Sequence, residues 1–232
     1  MTLRIFPKSV GAWARFLLSL ALLYFVGVRF HADAVVGSWF YAKREGDLLF
    51  QSLPHADLVD AIEGVTKSPW SHCGVLIQRN GRWVVVEALG MVRETPLKDW
   101  IVRSREGKFA AYRVRGLSDE DRERVKAALG QFMGRPYDFN YAPDDETIYC
   151  SELAYKAYDV ALRRSLGRWQ KLRDLDWRPF EQFIRSMEGG ALPLDRPMIT
   201  PAALAASEQL ERLPLTELAA MRFLFPSSRF HV

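Results

Sequence analysis

The chain is poor in the side chains that bind soft metals. Its 232 residues include two cysteines and four histidines, and no group of them has the spacing of a structural zinc site. At most one disulfide, between Cys73 and Cys150, is compatible with this count. The composition therefore argues against a metal site, and no cofactor is predicted.

Excess charge is also scarce outside the N-terminus. The chain carries +4, from 32 basic and 28 acidic residues. The first 34 residues contribute +3 of this, which leaves +1 for the remainder. A globular part so close to neutral lacks the basic surface that binds phosphate backbones, so nucleic acid is excluded as a partner despite a pI of about 9.1. Basic spots such as Arg103-Ser104-Arg105 are expected to be solvated helix ends.

The N-terminal apolar run is too short to span a bilayer unaided. The uncharged stretch from Phe16 to Val28 has 13 residues and lies between Arg15 and Arg29. It fits the apolar region of a signal peptide, and Ala32-Asp33-Ala34 resembles a small-x-small cleavage site. A cleaved leader or a retained membrane anchor is therefore expected.

This assignment divides the chain in two. Residues 1–34 are predicted to be a signal peptide or an N-terminal membrane anchor, and residues 35–232 a single domain. The positive N-terminus predicts that the domain is extracytoplasmic, either periplasmic or anchored and facing outward, with possible membrane association through the N-terminus. The alternative is an amphipathic helix that covers the domain.

The remaining pattern mixes strands and helices. An Asn80-Gly81 turn joins β-rich runs at 72–78 and 83–88 into a hairpin. Hairpin strands beside long helices favour the α+β class, with helices packed on an antiparallel sheet. Further strands are predicted at 47–51, 91–95 and 109–114, and helices near 56–66, 97–102, 118–132, 179–187 and 216–223, with another beginning near Cys150.

Cys150 is the lead candidate for a catalytic nucleophile. It opens an apolar-periodic stretch in Ile148-Tyr149-Cys150-Ser151-Glu152-Leu153, just after the acidic run Asp144-Asp145-Glu146. The first turn of a helix offers unpaired N–H groups and the positive end of the helix dipole, which favour a thiolate. A small buried cysteine on a core helix is the alternative.

His72 is the candidate base. His31 falls in the leader, His231 is the penultimate residue, and His55 opens a predicted helix, where an exposed side chain is the norm. His72 instead begins the first strand of the hairpin.

The hairpin register brings a carboxylate to this histidine. With Asn80 and Gly81 as the turn, Gly74 lies opposite Glu87, and His72 is a diagonal neighbour of Glu87 on the same face, about 7–8 Å away at the backbone. A carboxylate there would fix the tautomer and orientation of the imidazole and stabilise its charged form. The alternative is an ordinary strand with a half-exposed histidine. The same face is predicted to carry Leu76, Trp83 and Val85.

Cys73 points to the opposite face in this register. It is expected to lie in the core with Val75 and Ile77. If Cys150 packs on the face of His72, Cys73 forms neither a dyad with its neighbour nor a disulfide with Cys150.

Five short motifs in order carry a family resemblance. They resemble the YiiX/YaeF-type family of circularly permuted papain-like cysteine hydrolases, relatives of the NlpC-type cell-wall peptidases and of lecithin retinol acyltransferase. The resemblance covers about residues 45 to 210, with Met198-Ile199-Thr200-Pro201 near its end. The motifs are Gly46-Asp47-Leu48-Leu49-Phe50, Ser71-His72-Cys73-Gly74-Val75, Val86-Glu87-Ala88, Gly134-Arg135-Pro136-Tyr137-Asp138 and Ile148-Tyr149-Cys150-Ser151-Glu152-Leu153.

The resemblance implies a permuted papain-like (NlpC-type) fold and a role for each site residue. It implies Cys150 as the nucleophile, His72 as the base and Glu87 as the polar group that orients it. Tyr137 matches the tyrosine of the family's Pro-Tyr-Asp motif, which implies a place in the substrate site; core packing explains it equally well. Cys73 departs from the apolar residue expected at its position, in keeping with a core role.

The predicted function is that of an extracytoplasmic cysteine hydrolase. It would cleave an amide bond, peptide or N-acyl, through an acyl-thioester intermediate, with the backbone N–H of Cys150 as a candidate oxyanion donor. One alternative is a lipid acyl hydrolase or acyltransferase that acts on esters, and another is a non-catalytic binding module of the same fold. The expected partner is a peptide or an amphiphilic, lipid-like substrate.

Overall fold

The computed structural model describes residues 11, 15–22, 41–141 and 146–214. The predicted boundary between residues 34 and 35 and the predicted helix near 216–223 lie outside these residues. Residues 15–22 are helical. Among the helices described, none has the length and apolar character needed to cross a membrane.

A six-stranded antiparallel sheet forms the centre of the domain, with strand order β4-β3-β2-β1-β5-β8. The hairpin turn has the left-handed backbone that a two-residue turn requires, with φ of 51° at Asn80 and 74° at Gly81. A separate two-stranded sheet pairs β6 with β7. The strands are β1 (Leu48–Gln51), β2 (His72–Arg79), β3 (Arg82–Leu89), β4 (Met91–Pro96), β5 (Phe109–Val114), β6 (Gln170–Lys171), β7 (Pro197–Met198) and β8 (Leu210–Arg212).

Within residues 41–141 and 146–214, six helices surround the sheet, and the predicted α+β class is confirmed. Ser118 caps the third helix as expected: its side chain accepts from the Asp121 N–H at 3.1 Å, and the Asp121 carboxylate accepts from the Ser118 N–H. The helices are α1 (Asp57–Thr66), α2 (Leu97–Arg103), α3 (Asp119–Gly130), α4 (Cys150–Leu162), α5 (Glu181–Met187) and α6 (Pro201–Ala205), with short 3-10 turns at Arg105–Gly107, Leu172–Asp174 and Arg178–Phe180.

The two faces of the sheet are covered by different helices. One face packs against α3 and α4, and its strands contribute Leu48, Phe50, Cys73, Val75 and Val86 to that core. The other face packs against α2 through Trp100 and Ile101, and its strands contribute Leu49, Leu76, Val85 and Ala111. This alternation follows from the period of two along each strand.

Buried polar contacts hold the residues just before β1 in place. Asp47 is buried and accepts from Arg113 Nε at 2.7 Å and from the Tyr41 hydroxyl. The Tyr158 hydroxyl of α4 donates to the Gly46 carbonyl. The start of β1 is thus bonded to β5 on one side and to α4 on the other.

Parts of the C-terminal half were not predicted. The sequence analysis gave no strand for β8, β6 or β7, because these strands are two or three residues long and lack a readable alternation. β8 pairs with β5 and forms the edge of the main sheet. Such strands depend on their tertiary partner rather than on their own sequence pattern.

Gly74 offers a test of the hairpin packing. A Cβ added there would lie 2.5 Å from Val85 Cγ1 and 2.8 Å from the Val86 carbonyl oxygen. We expect Gly74→Ala to lower the free energy of unfolding by about 1–3 kcal/mol, because backbone as well as side chain must move. Urea denaturation followed by circular dichroism measures the change.

Gly130→Ala is the matched control. Gly130 lies in α3, and an added Cβ meets nothing within 4 Å. This variant should be neutral or gain up to about 1 kcal/mol from helix propensity. Equal stability of the Gly74→Ala protein and the wild type would contradict the close packing.

Candidate active site

Cys150 is the first residue of α4. Tyr149 precedes it as the N-cap residue, and the Tyr149 N–H donates to Glu152 Oε2 at 3.4 Å. A residue at the first helical position has no intrahelical acceptor for its N–H, so this group of Cys150 can face a ligand. The thiol itself is 2% exposed.

The motif at 198–201 fixes this first turn. The Ile199 N–H donates to the Tyr149 hydroxyl at 3.0 Å, and the Ser151 hydroxyl donates to the Ile199 carbonyl at 2.8 Å. Thr200 then caps α6 by accepting from the Ala203 N–H at 3.0 Å. Both neighbours of Cys150 in the chain are therefore bonded to one distant segment, which limits how α4 can tilt.

The hairpin places His72 and Glu87 in contact, in the predicted register. Val75 lies opposite Val86, so the pairing that puts Gly74 opposite Glu87 is confirmed. His72 Nε2 lies 2.6 Å from Glu87 Oε2. The imidazole also interacts with the charge of the Cys150 sulfur. Because Nε2 is taken by the carboxylate, Nδ1 is the ring nitrogen that remains for sulfur.

Glu87 has further partners that the sequence analysis missed. Its Oε1 accepts from Thr95 Oγ1 at 2.6 Å and from Arg103 Nη1 at 2.9 Å, and its Oε2 accepts from Arg103 Nη2. Arg93 Nε lies 3.8 Å from Oε1. The carboxylate is fully buried, and these donors balance its charge.

The expectation of a solvated helix end at Arg103-Ser104-Arg105 was therefore wrong. Arg103 pairs with Glu87, and Arg105 pairs with Glu63 of α1. Both arginines form ion pairs with these carboxylates, so the exposure of the two arginine side chains is low. Local charge alone could not reveal this, because the partners come from strands and helices distant in the chain.

The electrostatics favour a thiolate–imidazolium pair. Hydrogen bonds from the Cys73 thiol and then from His72 hold the pKa of Cys150 well below its ordinary range, although burial opposes this. Burial favours the neutral ring of His72, but the Cys150 thiolate and Glu87 raise the pKa of His72 to about 9. Burial would likewise raise the pKa of Glu87, but His72 and Arg103 hold it well below its usual range.

Cys73 is where the sequence prediction failed. It does lie in the core with Val75 and Ile77, on the face opposite that of His72 along the strand. The helix that carries Cys150 packs on the face of Cys73, not on that of His72. The condition under which Cys73 was expected to avoid Cys150 is therefore not met. Each thiol affects the protonation of the other, and both are free.

An apolar pocket opens on Cys150. Tyr137 lies on it, as the family resemblance implied, and is held by its N–H, which donates to the Gly90 carbonyl at 2.9 Å. The opposite wall comes from α1 and α5, and includes Leu58, Ile62, Val65, Phe183, Ile184 and Met187.

Tyr141 is a pocket residue that the sequence analysis did not select. Its hydroxyl is buried beside Tyr137, and it has no hydrogen-bond partner of good geometry among the described residues. Burial and the nearby Cys150 sulfur raise the pKa of Tyr141, so its hydroxyl stays protonated. A buried donor without an acceptor calls for an explanation, and a ligand in the pocket would supply one.

His55 does not join this site. His55 is exposed at the start of α1, where it pairs with Asp60 at 2.7 Å, in line with its expected place at a helix start. His31 and His231 lie outside the described residues.

Comparisons with known proteins place the chain in a family. Residues 42–214 match the family model of the permuted papain-like amidase enzymes, YaeF/YiiX, C92 family. The chain belongs to this family. It is 33% identical over 178 residues to the uncharacterised protein YiiX of Escherichia coli (strain K12). The aligned region covers 75% of this chain and 88% of that protein.

A solved structure supports the fold. The crystal structure of "metalloprotein yiiX" from Escherichia coli O157:H7 superposes with a TM-score of 0.73 at 33% identity, covering 76% of this chain and 99% of that one. The predicted permuted papain-like fold is thus confirmed. Within the residues described here, no three His, Cys, Asp or Glu side chains are grouped so that they could hold a metal ion. We therefore derive no step through a metal.

The contact between the thiols predicts how Cys150 responds to pH. We expect the rate of Cys150 alkylation by iodoacetamide to rise with pH at a midpoint below that of an ordinary thiol. Cys73→Ala should move this midpoint to higher pH, because the thiolate loses a hydrogen-bond donor. Cys73→Ser retains a donor and should stay closer to the wild type. Mass spectrometry of the Cys150 peptide gives the rates, and an unchanged midpoint in Cys73→Ala would contradict the contact.

Proposed function

We propose that this protein is an extracytoplasmic cysteine amidase that cleaves an amide bond through an acyl-thioester on Cys150. The observation that carries the proposal is the buried series of contacts from the Cys150 sulfur to His72 and from His72 to Glu87, at an apolar pocket. Membership of an amidase family supports the same reaction class.

The first half of the reaction would acylate the sulfur. The Cys150 thiolate attacks the amide carbonyl carbon, a C–S bond forms, and the carbonyl π electrons move to oxygen. The His72 imidazolium then gives its proton to the leaving nitrogen as the C–N bond breaks. Glu87 stays ionised and holds the ring in place throughout.

Water would complete the turnover. Neutral His72 takes a proton from water, whose oxygen attacks the thioester carbonyl. The C–S bond breaks, the acid leaves, and the thiolate–imidazolium pair is restored. No cofactor enters either half.

Two donors are available for the oxyanion. The backbone N–H of Cys150 is free of intrahelical bonding at the first helical position, and the Tyr141 hydroxyl is the buried donor without an acceptor. The loss of one such donor typically costs about 10²–10³ in kcat.

The pocket favours an apolar acyl group as the part of the substrate that enters it. Apolar side chains of α1 and α5 form its wall, which suits an acyl chain better than a polar group. Burial of each methylene contributes about 0.8 kcal/mol. We therefore favour an N-acyl amide over a polar peptide as the substrate.

Ester cleavage or acyl transfer is the second candidate function. The same apolar pocket supports it, because an ester and an amide of one acyl group place the same carbonyl on Cys150. They differ in the leaving group. The amine of an amide must be protonated to leave, whereas the alcohol of an ester requires protonation less. A non-catalytic binding module is the remaining alternative, and a buried charge network around the thiol has no evident use in it.

A substrate series tests the proposal. The panel holds N-acyl amides of one amine with increasing chain length, the matching O-acyl esters, and cell-wall peptides, with products identified by mass spectrometry. We expect kcat/KM for the amides to rise about fourfold per methylene until the pocket is filled. Cys150→Ala should lose at least about 10³-fold in kcat.

Ile62 provides the pocket variants. Ile62→Asp should abolish the dependence on chain length, because a carboxylate in the apolar wall repels the chain, and Ile62→Leu should preserve it. Turnover of cell-wall peptides with none of the acyl amides would overturn the substrate class. Wild-type rates in Cys150→Ala would overturn the nucleophile.

We also propose that residues 1–34 deliver the domain across a membrane as a signal peptide or an anchor. The argument is the basic, apolar and small-residue order of that segment. Alkaline phosphatase fused to the C-terminus is active only outside the cytoplasm, so the full chain should give an active fusion. Removal of residues 1–34 should abolish this activity. An inactive fusion of the full chain, with the fusion protein present at normal levels, would refute the location.

A further inference from the structure

The two cysteines of this chain meet inside the active site. Cys73 lies on β2 and is fully buried, and Cys150 begins α4, which packs directly on β2. Both belong to one core cluster, where each thiol affects the protonation of the other, and both thiols are free. The chain has no third cysteine, so any internal pairing is unambiguous.

This contact has a chemical consequence. A thiolate, unlike a thiol, reacts readily with hydroperoxides, and a sulfenic acid formed next to a thiol condenses with it. Small oxidants can reach Cys150 through the apolar pocket, whereas Cys73 is shielded from solvent behind it. Oxidation should therefore begin at Cys150 and end at the contact between the sulfurs.

We propose that Cys73 is a resolving thiol, which closes a reversible disulfide with Cys150 when a hydroperoxide oxidises the nucleophile. The disulfide switches the site off and protects Cys150 from irreversible oxidation. Reduction by a dithiol restores both thiols. The proposal depends on the geometry of the two sulfurs and not on which acyl bond the enzyme cleaves.

The steps balance. The Cys150 thiolate attacks one oxygen of hydrogen peroxide, an S–O bond forms, the O–O bond breaks, and the departing hydroxide takes a proton from the His72 imidazolium to leave as water. The Cys73 thiol then loses its proton and its sulfur attacks the Cys150 sulfur. An S–S bond forms as the S–O bond breaks, and the hydroxide leaves with that proton as a second water. One peroxide thus receives the two electrons that the two thiols lose.

Geometry makes the second step feasible without unfolding. A disulfide needs Cα atoms about 4.4–6.8 Å apart and Cβ atoms that face each other. Cys73 on β2 and Cys150 in the first turn of α4 belong to elements that pack directly on each other, within one core cluster. Ile199 holds this first turn in place through its bonds to Tyr149 and Ser151.

Intact-mass analysis of the full chain treated with hydrogen peroxide tests the proposal. The wild type should lose two hydrogens, and proteolysis without reductant should give a peptide that links Cys73 to Cys150. Dithiothreitol should return both free thiols. Cys73→Ser is the matched control, because its hydroxyl fills nearly the same space and cannot form the bond.

The control should take the irreversible route. In Cys73→Ser, Cys150 should gain two or three oxygens, and the fraction that dithiothreitol fails to restore should grow about tenfold faster than in the wild type. Cys73→Ala repeats the comparison if the serine variant does not fold, as judged by circular dichroism. Each variant is referred to its own untreated sample.

The opposite outcome is equally clear. If wild-type Cys150 gains oxygens at the rate of the variants, with no linked peptide, the proposal is wrong. These readouts are masses, so they stand even if the panel of acyl substrates gives no turnover, and a failed amidase assay would not be mistaken for a failed disulfide.

Discussion

The buried carboxylate of Glu87 is the charge on which the geometry of the site depends. A carboxylate out of contact with water is costly unless hydrogen bonds and opposite charges surround it. Here Thr95, Arg103 and His72 provide them, from β4, α2 and β2 respectively. Three elements are therefore held around one anion, and the imidazole is fixed in its orientation by the carboxylate.

His72 connects the two sides of the sheet. It is the first residue of β2, and its ring lies 6.5 Å from that of Trp100, which belongs to the core under α2. The same ring interacts with the charge of the Cys150 thiolate, whose helix covers the opposite face. At the end of a strand a side chain can reach toward both layers, and the base comes from such a position, the first of the hairpin.

The sequence allowed most of the central hairpin to be predicted, because an Asn-Gly turn sets the pairing and the pairing sets the faces. It also indicated Cys150 at a helix start, from the acidic residues before it and the apolar period after it. The predicted core position of Cys73 is confirmed, whereas the condition that the helix packs on the face of His72 is not met. A helix with apolar residues on one stripe can cover either face of a sheet that is apolar on both.

The partners of Glu87 were beyond sequence reasoning for a similar reason. Arg103 reads as the end of a short helix, and nothing local distinguishes an arginine that faces solvent from one that folds back onto a buried anion. Likewise Tyr141 stands in a loop without periodicity. Its importance depends on which cavity its hydroxyl faces, which is a property of the tertiary structure alone.

The bonds at Tyr41 and Asp47 bear on how the domain could carry a mechanical load. Tyr41 and Leu213 both pack with the core cluster that contains Trp100, and Leu213 donates its N–H to Ala111 at 2.8 Å. Tyr41 and Leu213 are thus both attached to the layer opposite the helix that carries Cys150. A tension applied at Tyr41 would act first on its bond to Asp47, which Arg113 of β5 holds in place.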